Sequence, residues 1–451
     1  MKGKYRKDFT GTCTFKQKGI NNMRECGMLL PIASLPSKYG IGCFSKEAYE
    51  FVDQLKEGGQ SYWQILPLGP TGFGDSPYQA FSAFAGNPYF IDLEQLVGEG
   101  LLTEDECEEA DFGDDDRYIA YDKIYKARFK VLKKAYERWK KDHHQFLKSK
   151  LDPETIEYCF YMAVKDHFKS ASWNKWDKDI RLRKPAAVEK YKKMLADEIG
   201  FYEFQQIEFN EQWSRLKAYA NENGIRIIGD IPIYVAFDGA DSWAHPELFQ
   251  FDEECLPKAV AGCPPDAFSA TGQLWGNPLY DWGYHKKDHY SWWIKRMEYS
   301  LKLYDVVRVD HFRGFEAYYS IPYGDPTAEF GHWEKGPGLD LFARLKKSLK
   351  KEELPIIAED LGFLTPEVHE MLKESGFPGM KVLEFAFDDS ENSDYLPHKY
   401  QENCIVYTGT HDNETLVGWY ENMNRRNKSF AREYMGCRHT PKKEMHWEFI
   451  R

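Results

Sequence analysis

No apolar run in this sequence approaches the roughly 18–20 residues that a helix needs to cross a bilayer. The basic start (Lys2, Lys4, Arg6, Lys7) leads into no apolar stretch of the kind a secretory signal carries. The nine cysteines are scattered, odd in number and contain no C-x-x-C pair. That excludes a disulfide framework or a cysteine-type zinc site and points to reduced thiols in the cytoplasm. The sequence also lacks H-E-x-x-H, G-x-x-x-x-G-K-[ST] and G-x-G-x-x-G, so it carries none of the metalloprotease, P-loop or dinucleotide-binding signatures. Positive charge is in deficit, with 60 Lys and Arg against 72 Asp and Glu and a net charge of −12. This argues against nucleic acid as the main partner.

What is present is length and aromatic surface. The 451 residues suffice for a large core, and 13 Trp, 29 Tyr and 30 Phe make a high aromatic content that can itself be core. Rigid aromatic faces also suit the walls of a groove for sugar rings.

Residues 1–26 are polar and patternless and read as a disordered leader, with Met23 a candidate natural start. Short apolar runs then recur: GMLLPIASL (27–35), YWQILPLG (62–69), IRIIGDIPIYV (225–235), DVVRVDHF (305–312), LPIIAEDLG (354–362), MKVLEFAF (380–387) and CIVYTGTHD (404–412). They are nearly continuous in Ile, Val and Leu, as in parallel strands buried on both faces. Amphipathic helical stretches lie between them. Residues 45–59 have Ser45 at the N-cap and Gly58 near the end, and residues 365–377 have Thr365 at the N-cap and Pro366 at the first helical position. Seven strands alternating with helices predict an α/β protein, a (β/α)₈ barrel rather than an open dinucleotide-binding sheet.

The barrel is expected to begin at 27–75, to be interrupted by a mainly helical insertion over about 76–220, and to resume over 221–451. A second insertion at about 236–300 is rich in Pro, Gly and aromatics. After Asp412 only two helical stretches are legible, ENMNRRNKSFAREYMG and PKKEMHWEFIR. The eighth strand is therefore expected to be missing from this chain.

Four carboxylates, Asp230, Asp310, Glu359 and Asp412, stand at or near the ends of four of these strands. Taken alone, Asp310 could equally be a salt-bridge partner for Arg308 or Arg313. Together the four would converge on one face of a barrel, where active sites sit. Clustered carboxylates without a metal motif suit cleavage of a glycosidic bond. One carboxylate attacks the anomeric carbon and a second, kept protonated, donates to the leaving oxygen. Arg308, His311 and His411 are candidate cations to keep the attacking group ionised. The spacing fits no compact metal-ligand motif. Two aromatic, polar and glycine-rich stretches, 74–90 and 264–285, are candidate groove walls; the second contains Phe268, Trp275, Tyr280 and Trp282.

The stretches GMLLPIASLPSKYGIGCF, SPYQAFSAFAGNPYFIDL, GDIPIYV, PPDAFSATGQLWGNPLYDW, VRVDHFRGF, IIAEDLG and GTHDNET run in order from Gly27 to Thr415. In this the sequence resembles the 4-α-glucanotransferases of glycoside hydrolase family 77, the amylomaltases or disproportionating enzymes. The resemblance implies that Asp310 is the nucleophile, Glu359 the acid/base and Asp412 the stabiliser of the transition state. Arg308 and His411 would surround the sugar being cleaved, and Ser76, Tyr78, Asp230, Gln273 and Trp275 would line the substrate groove. The loop around 264–275 would cover bound glucan, with Ala267 where many relatives carry Tyr. Relatives of this kind continue into a final strand and an Asn-bearing segment.

The expected function is retaining transfer of an α-1,4-glucan segment from a maltooligosaccharide or starch-like donor to the 4-hydroxyl of an acceptor, through a covalent glycosyl-aspartate. No cofactor, metal, nucleic acid, membrane or obligate protein partner is implied. Two alternatives share the same residues: a hydrolytic α-glucanase, and an inactive glucan-binding protein whose barrel is incomplete.

Overall fold

A computed structural model describes residues 24–72, 74–115, 117–142, 151–266, 269–362, 364–387 and 393–451. The leader at 1–26 thus lies almost wholly outside the described residues, as do Ala267 and Phe268. Eleven strands are described: β1 (Gly27–Leu29), β2 (Tyr62–Gln64), β3 (Arg226–Pro232), β4 (Ala259–Cys263), β5 (Gln273–Pro278), β6 (Val306–Asp310), β7 (Ala317–Pro322), β8 (His332–Lys335), β9 (Ile356–Ala358), β10 (Gly379–Val382) and β11 (Cys404–Tyr407).

All seven expected apolar runs contain a strand. β1, β2, β3, β6 and β9 form one sheet in that order, every pair parallel. β10 and β11 form a second parallel pair, linked to the first sheet by the Ala358 N–H donating to the Pro378 carbonyl at 3.0 Å. The interiors of β3 and β6 are buried, which explains why their sequences are apolar runs and not alternations. A (β/α)₈ closure goes beyond these pairings. Past Tyr407 the described residues form helices and turns, with no further strand.

The helices around the sheet follow their sequence cues. Lys46–Glu57 starts after Ser45, ends at Gly58 and buries Ala48, Val52 and Leu55 at three- and four-residue spacing. Pro366–Ser375 starts after Thr365 and ends at Gly376, whose φ of 75° is the left-handed conformation that favours glycine after a helix. In neither helix does the N-cap side chain accept a backbone N–H of the first turn, and the Ser45 hydroxyl instead donates to the Glu47 carboxylate. The single helix expected near 421–436 is two helices, Leu416–Asn422 and Arg425–Tyr434, because the Asn424 side chain accepts the Asn427 N–H and starts a new helix.

The connection from β2 to β3 is largely helical, as expected. Its helices Tyr121–Asp142, Pro153–His167 and Ala196–Glu222 absorb much of the aromatic surplus. Tyr158, Phe160, Tyr161, Trp173, Trp176 and Trp243 form a core of their own. The second insertion departs from the expected loop. It contributes the β4–β5 hairpin to an antiparallel sheet ordered β5-β4-β7-β8. The hairpin was not legible because its register shifts between Val260 and Gly262, which breaks the alternation that marks a half-buried strand.

Candidate active site

The register of β3, β6 and β9 builds the site. Asp230 is the cross-strand partner of Arg308, and Pro232 that of Asp310. Val309 pairs with Ala358, so Asp310 and Glu359 leave their strands side by side. Parallel neighbours lie about 4.8 Å apart. Two carboxylates are thus delivered to one place by backbone pairing, before any side chain is considered.

Arg308 is almost completely buried and divides its guanidinium between two acids. Nη1 contacts Asp230 at 2.6 Å and Nη2 contacts Asp310 at 3.0 Å. Asp230 is fully buried, and its Oδ2 also accepts the Tyr78 hydroxyl at 2.7 Å. It is therefore shut off from solvent, with Arg308 and Tyr78 as its partners. The Tyr78 hydroxyl also meets His411 Nε2 at 2.8 Å, with the two rings stacked at 5.6 Å. His411 Nε2 in turn lies 3.4 Å from Asp412, whose side chain is 76% exposed. One chain of polar contacts thus runs from Asp310 through Arg308, Asp230, Tyr78 and His411 to Asp412.

Glu359 is held by backbone. Its Oε2 accepts the His311 N–H at 2.9 Å and its Oε1 the Leu361 N–H at 2.8 Å. His311 reaches this position with φ 55° and ψ 48°, a left-handed conformation unusual for a residue other than glycine. Strain of that kind next to a strand-end carboxylate marks a functional turn. The His311 ring packs edge-on against Trp275 at 4.9 Å. Trp275 Nε1 donates to Gln273 Oε1 at 3.0 Å, both residues lying on β5. Ser76 Oγ accepts the Tyr78 N–H at 3.3 Å and shapes the turn that carries Tyr78.

The electrostatics separate the carboxylates. Burial pushes Glu359 up to about 7, with Asp310 adding to the rise and Arg308 and the two N–H groups opposing it. Burial pushes Asp310 up to about 6, opposed by the adjacent Arg308. Burial also raises Asp230, against Arg308 and Tyr78. Of the three candidate cations, only Arg308 is one. Burial drives His311 down to about 3 and lowers His411 as well, so both rings are neutral near pH 7. Of the aromatics in the 264–285 stretch, some of which are expected to be core, Tyr280 is core: it is buried against Phe249, Trp292 and Trp293.

Two groups escaped the sequence reading. Glu384 is buried under the 408–414 loop, and burial with the neighbouring charge of Glu414 pushes it up to about 7. A Cβ added to Gly409 would come within 2.8 Å of Glu384 Oε1, so the loop packs closely on that carboxyl. Tyr407 donates to Gln64 at 2.7 Å and ties β11 to β2. Glu384 follows β10 by two residues and Tyr407 ends β11, so each stood at a strand end within an apolar run, but no motif singled either out. Among the described residues, no three His, Cys, Asp or Glu side chains converge as a set that could hold a metal.

A family model described as 4-alpha-glucanotransferase matches residues 30–451. The chain is 52% identical to the 4-alpha-glucanotransferase of Clostridium butyricum over 425 residues, spanning 93% of this chain and 86% of that protein. It is equally 52% identical to the enzyme of that name from Streptococcus pneumoniae over 426 residues, spanning 93% of this chain and 83% of that one. The amylomaltase from Streptococcus agalactiae, solved in complex with acarbose, superposes with a TM-score of 0.89 at 43% identity, covering 95% of this chain and 87% of its own. The chain belongs to the 4-alpha-glucanotransferase family, glycoside hydrolase family 77, and is a transferase of glucan segments.

Proposed function

We propose that this chain moves an α-1,4-glucan segment from a maltooligosaccharide or starch-like donor to the 4-hydroxyl of an acceptor, with Asp310 as nucleophile and Glu359 as acid/base. The observation that carries this reading is the side-by-side exit of Asp310 and Glu359 from β6 and β9 in unlike environments. Asp310 has Arg308 to favour its anion. Glu359 is pushed to about 7 and so retains a proton near neutrality. Asp310 attacks the anomeric carbon while the Glu359 proton passes to the leaving glycosidic oxygen, and a β-glycosyl ester forms on Asp310. The acceptor then enters, Glu359 takes its 4-hydroxyl proton, and the ester bond breaks with the α-configuration restored. Neighbouring-strand spacing of about 4.8 Å suits the short carboxyl separation, about 5–5.5 Å, of a retaining pair.

Asp412, exposed beside His411, is placed to accept hydrogen bonds from hydroxyls of the bound sugar. Gln273 and Trp275 supply the groove wall, the indole offering an apolar face to a pyranose ring. That the amylomaltase of S. agalactiae binds acarbose supports a groove of this kind. The (β/α)₈ barrel is part of the same reading. Seven parallel strands and the Tyr407–Gln64 contact, which reaches from the last strand to the second, support a sheet curled on itself. No described helix is long and apolar enough to cross a membrane, in keeping with substrates drawn from solution.

Incubation with maltotriose tests the activity. Glucose and longer maltooligosaccharides should appear together while total reducing ends stay constant. A rise in reducing ends equal to the bonds cleaved would make the chain a hydrolase and overturn transfer.

A further inference from the structure

Asp230 also borders a cavity that lacks Asp310, Glu359 and Asp412 in its lining. This cavity of about 50 Å³ lies between β3 and the Ser291–Leu303 helix, with Leu68, Tyr78, Ala83, Asp230, Tyr299 and Tyr304 in its lining. Its wall mixes polar and apolar surface, and three polar groups in it are incompletely used. Asp230 gives Oδ2 to both Arg308 and Tyr78, while its Oδ1 has no protein partner although the residue is fully buried. The buried Tyr299 hydroxyl also has no protein partner. The Tyr304 hydroxyl accepts the Leu68 N–H at 3.3 Å and keeps its own proton to donate. The Tyr304 ring lies flat against Gly229, where an added Cβ would fall 2.1 Å from it, so the tyrosine packs on the residue next to Asp230.

A buried carboxylate oxygen left without a donor is costly, and native structures rarely leave one. A water needs about 10–15 Å³ of such space and two to four polar partners. The cavity has room for a few waters and offers them Asp230 Oδ1, Tyr299 and Tyr304. We propose that it is a resident water site behind the catalytic carboxylates, and that Tyr299 is a positioning residue for the transfer reaction. Water running from the Tyr299 hydroxyl past the Tyr304 hydroxyl to Asp230 Oδ1 supports the Asp230 anion. The anion holds Nη1 of Arg308 and thereby leaves only Nη2 for Asp310. Loss of the bridge weakens that division, and Arg308 then binds Asp310 more tightly and blunts its attack.

The kinetic half of this inference rests on reading Asp310 as the nucleophile; the water site itself does not. Crystals of the full chain, diffracting well enough to show ordered solvent, should contain water within hydrogen-bond distance of Asp230 Oδ1, joined through the cavity to water on the Tyr299 hydroxyl. That water should be lost or displaced in Tyr299→Phe, which keeps the ring and the fold. With maltotriose, Tyr299→Phe should lower kcat about threefold to tenfold, as befits one net hydrogen bond, and leave KM within twofold. A dry cavity, or Asp230 Oδ1 bonded to a protein group, overturns the site. Ordered water with kcat unchanged in Tyr299→Phe, or with kcat and KM shifted equally, overturns the positioning role. Loss of activity in Asp310→Asn tests the nucleophile separately.

Discussion

Asp310 and Glu359 stand side by side at the exits of two adjacent parallel strands, one step beyond the Val309–Ala358 backbone pair. Neither side chain is placed by a flexible loop. Their spacing is fixed by the same hydrogen-bond ladder that holds the sheet, which suits a reaction whose two groups must be positioned to a fraction of an ångström.

Unlike roles for the two carboxylates predict unlike rescue. Asp310→Asn and Glu359→Gln should each reduce transfer from maltotriose by on the order of 10³-fold or more. With α-glucosyl fluoride, whose leaving group needs no proton, Glu359→Gln should recover glycosylation and Asp310→Asn should not. Equal rescue of both, measured as fluoride release, would reject the assignment.

The pH profile follows from the same pair. Asp310 must be ionised and is pushed up to about 6, so kcat/KM should fall as pH drops below that. Glu359 must be protonated and is pushed up to about 7, so activity should also fall as pH rises above that. The optimum is narrow and lies between them. A profile flat from pH 5 to 9 would contradict these roles.

Stability should carry the opposite signature to a salt-bridged acid. The raised Glu359 ionises near 4.3 when unfolded but only around 7 when folded. Its contribution is therefore full below about pH 4 and is lost as pH rises through 7. Glu359→Gln should melt above the parent at pH 8, by roughly 1–3 °C for a chain of this size, and level with it at pH 4. Thermal melts at the two pH values decide this.

Arg308 is the buried cation between two acids, and Asp230 has no exposure at all. Removing one partner of a buried pair leaves an uncompensated charge, so Arg308→Met should destabilise by about 3–5 kcal/mol. Adding Asp230→Asn should restore part of that loss. Urea denaturation of the two single variants and the double variant forms the cycle, and strict additivity would mean the pair is not coupled.

Trp275 rests edge-on against His311 and is only partly buried. Trp275→Ala should raise KM for maltotriose about fivefold to tenfold, the worth of one aromatic contact, with kcat changed less. An unaltered KM would remove Trp275 from the groove.

Much of the site could be read from residues in order. Asp310, Glu359 and Asp412 each follow an apolar run, and runs of that kind become strands whatever their neighbours. The helix ends at Ser45, Gly58 and Thr365 were legible for the same reason: capping is a local matter of a few residues. The β4–β5 hairpin was hidden by its irregular register, and the break at Asn424 by the polarity around it.

The sequence alone determined the parallel strands, the carboxylates at their ends and the ordered motifs that mark the family. Those depend on side-chain polarity and spacing along the chain. Only the tertiary structure decided that Asp230 is a fully buried partner of Arg308, that burial lowers His311 and His411, and that Tyr280 is core. Each of these turns on burial and on the register between strands distant in sequence, where removal from water sets the charge state and the cross-strand neighbour sets the partner.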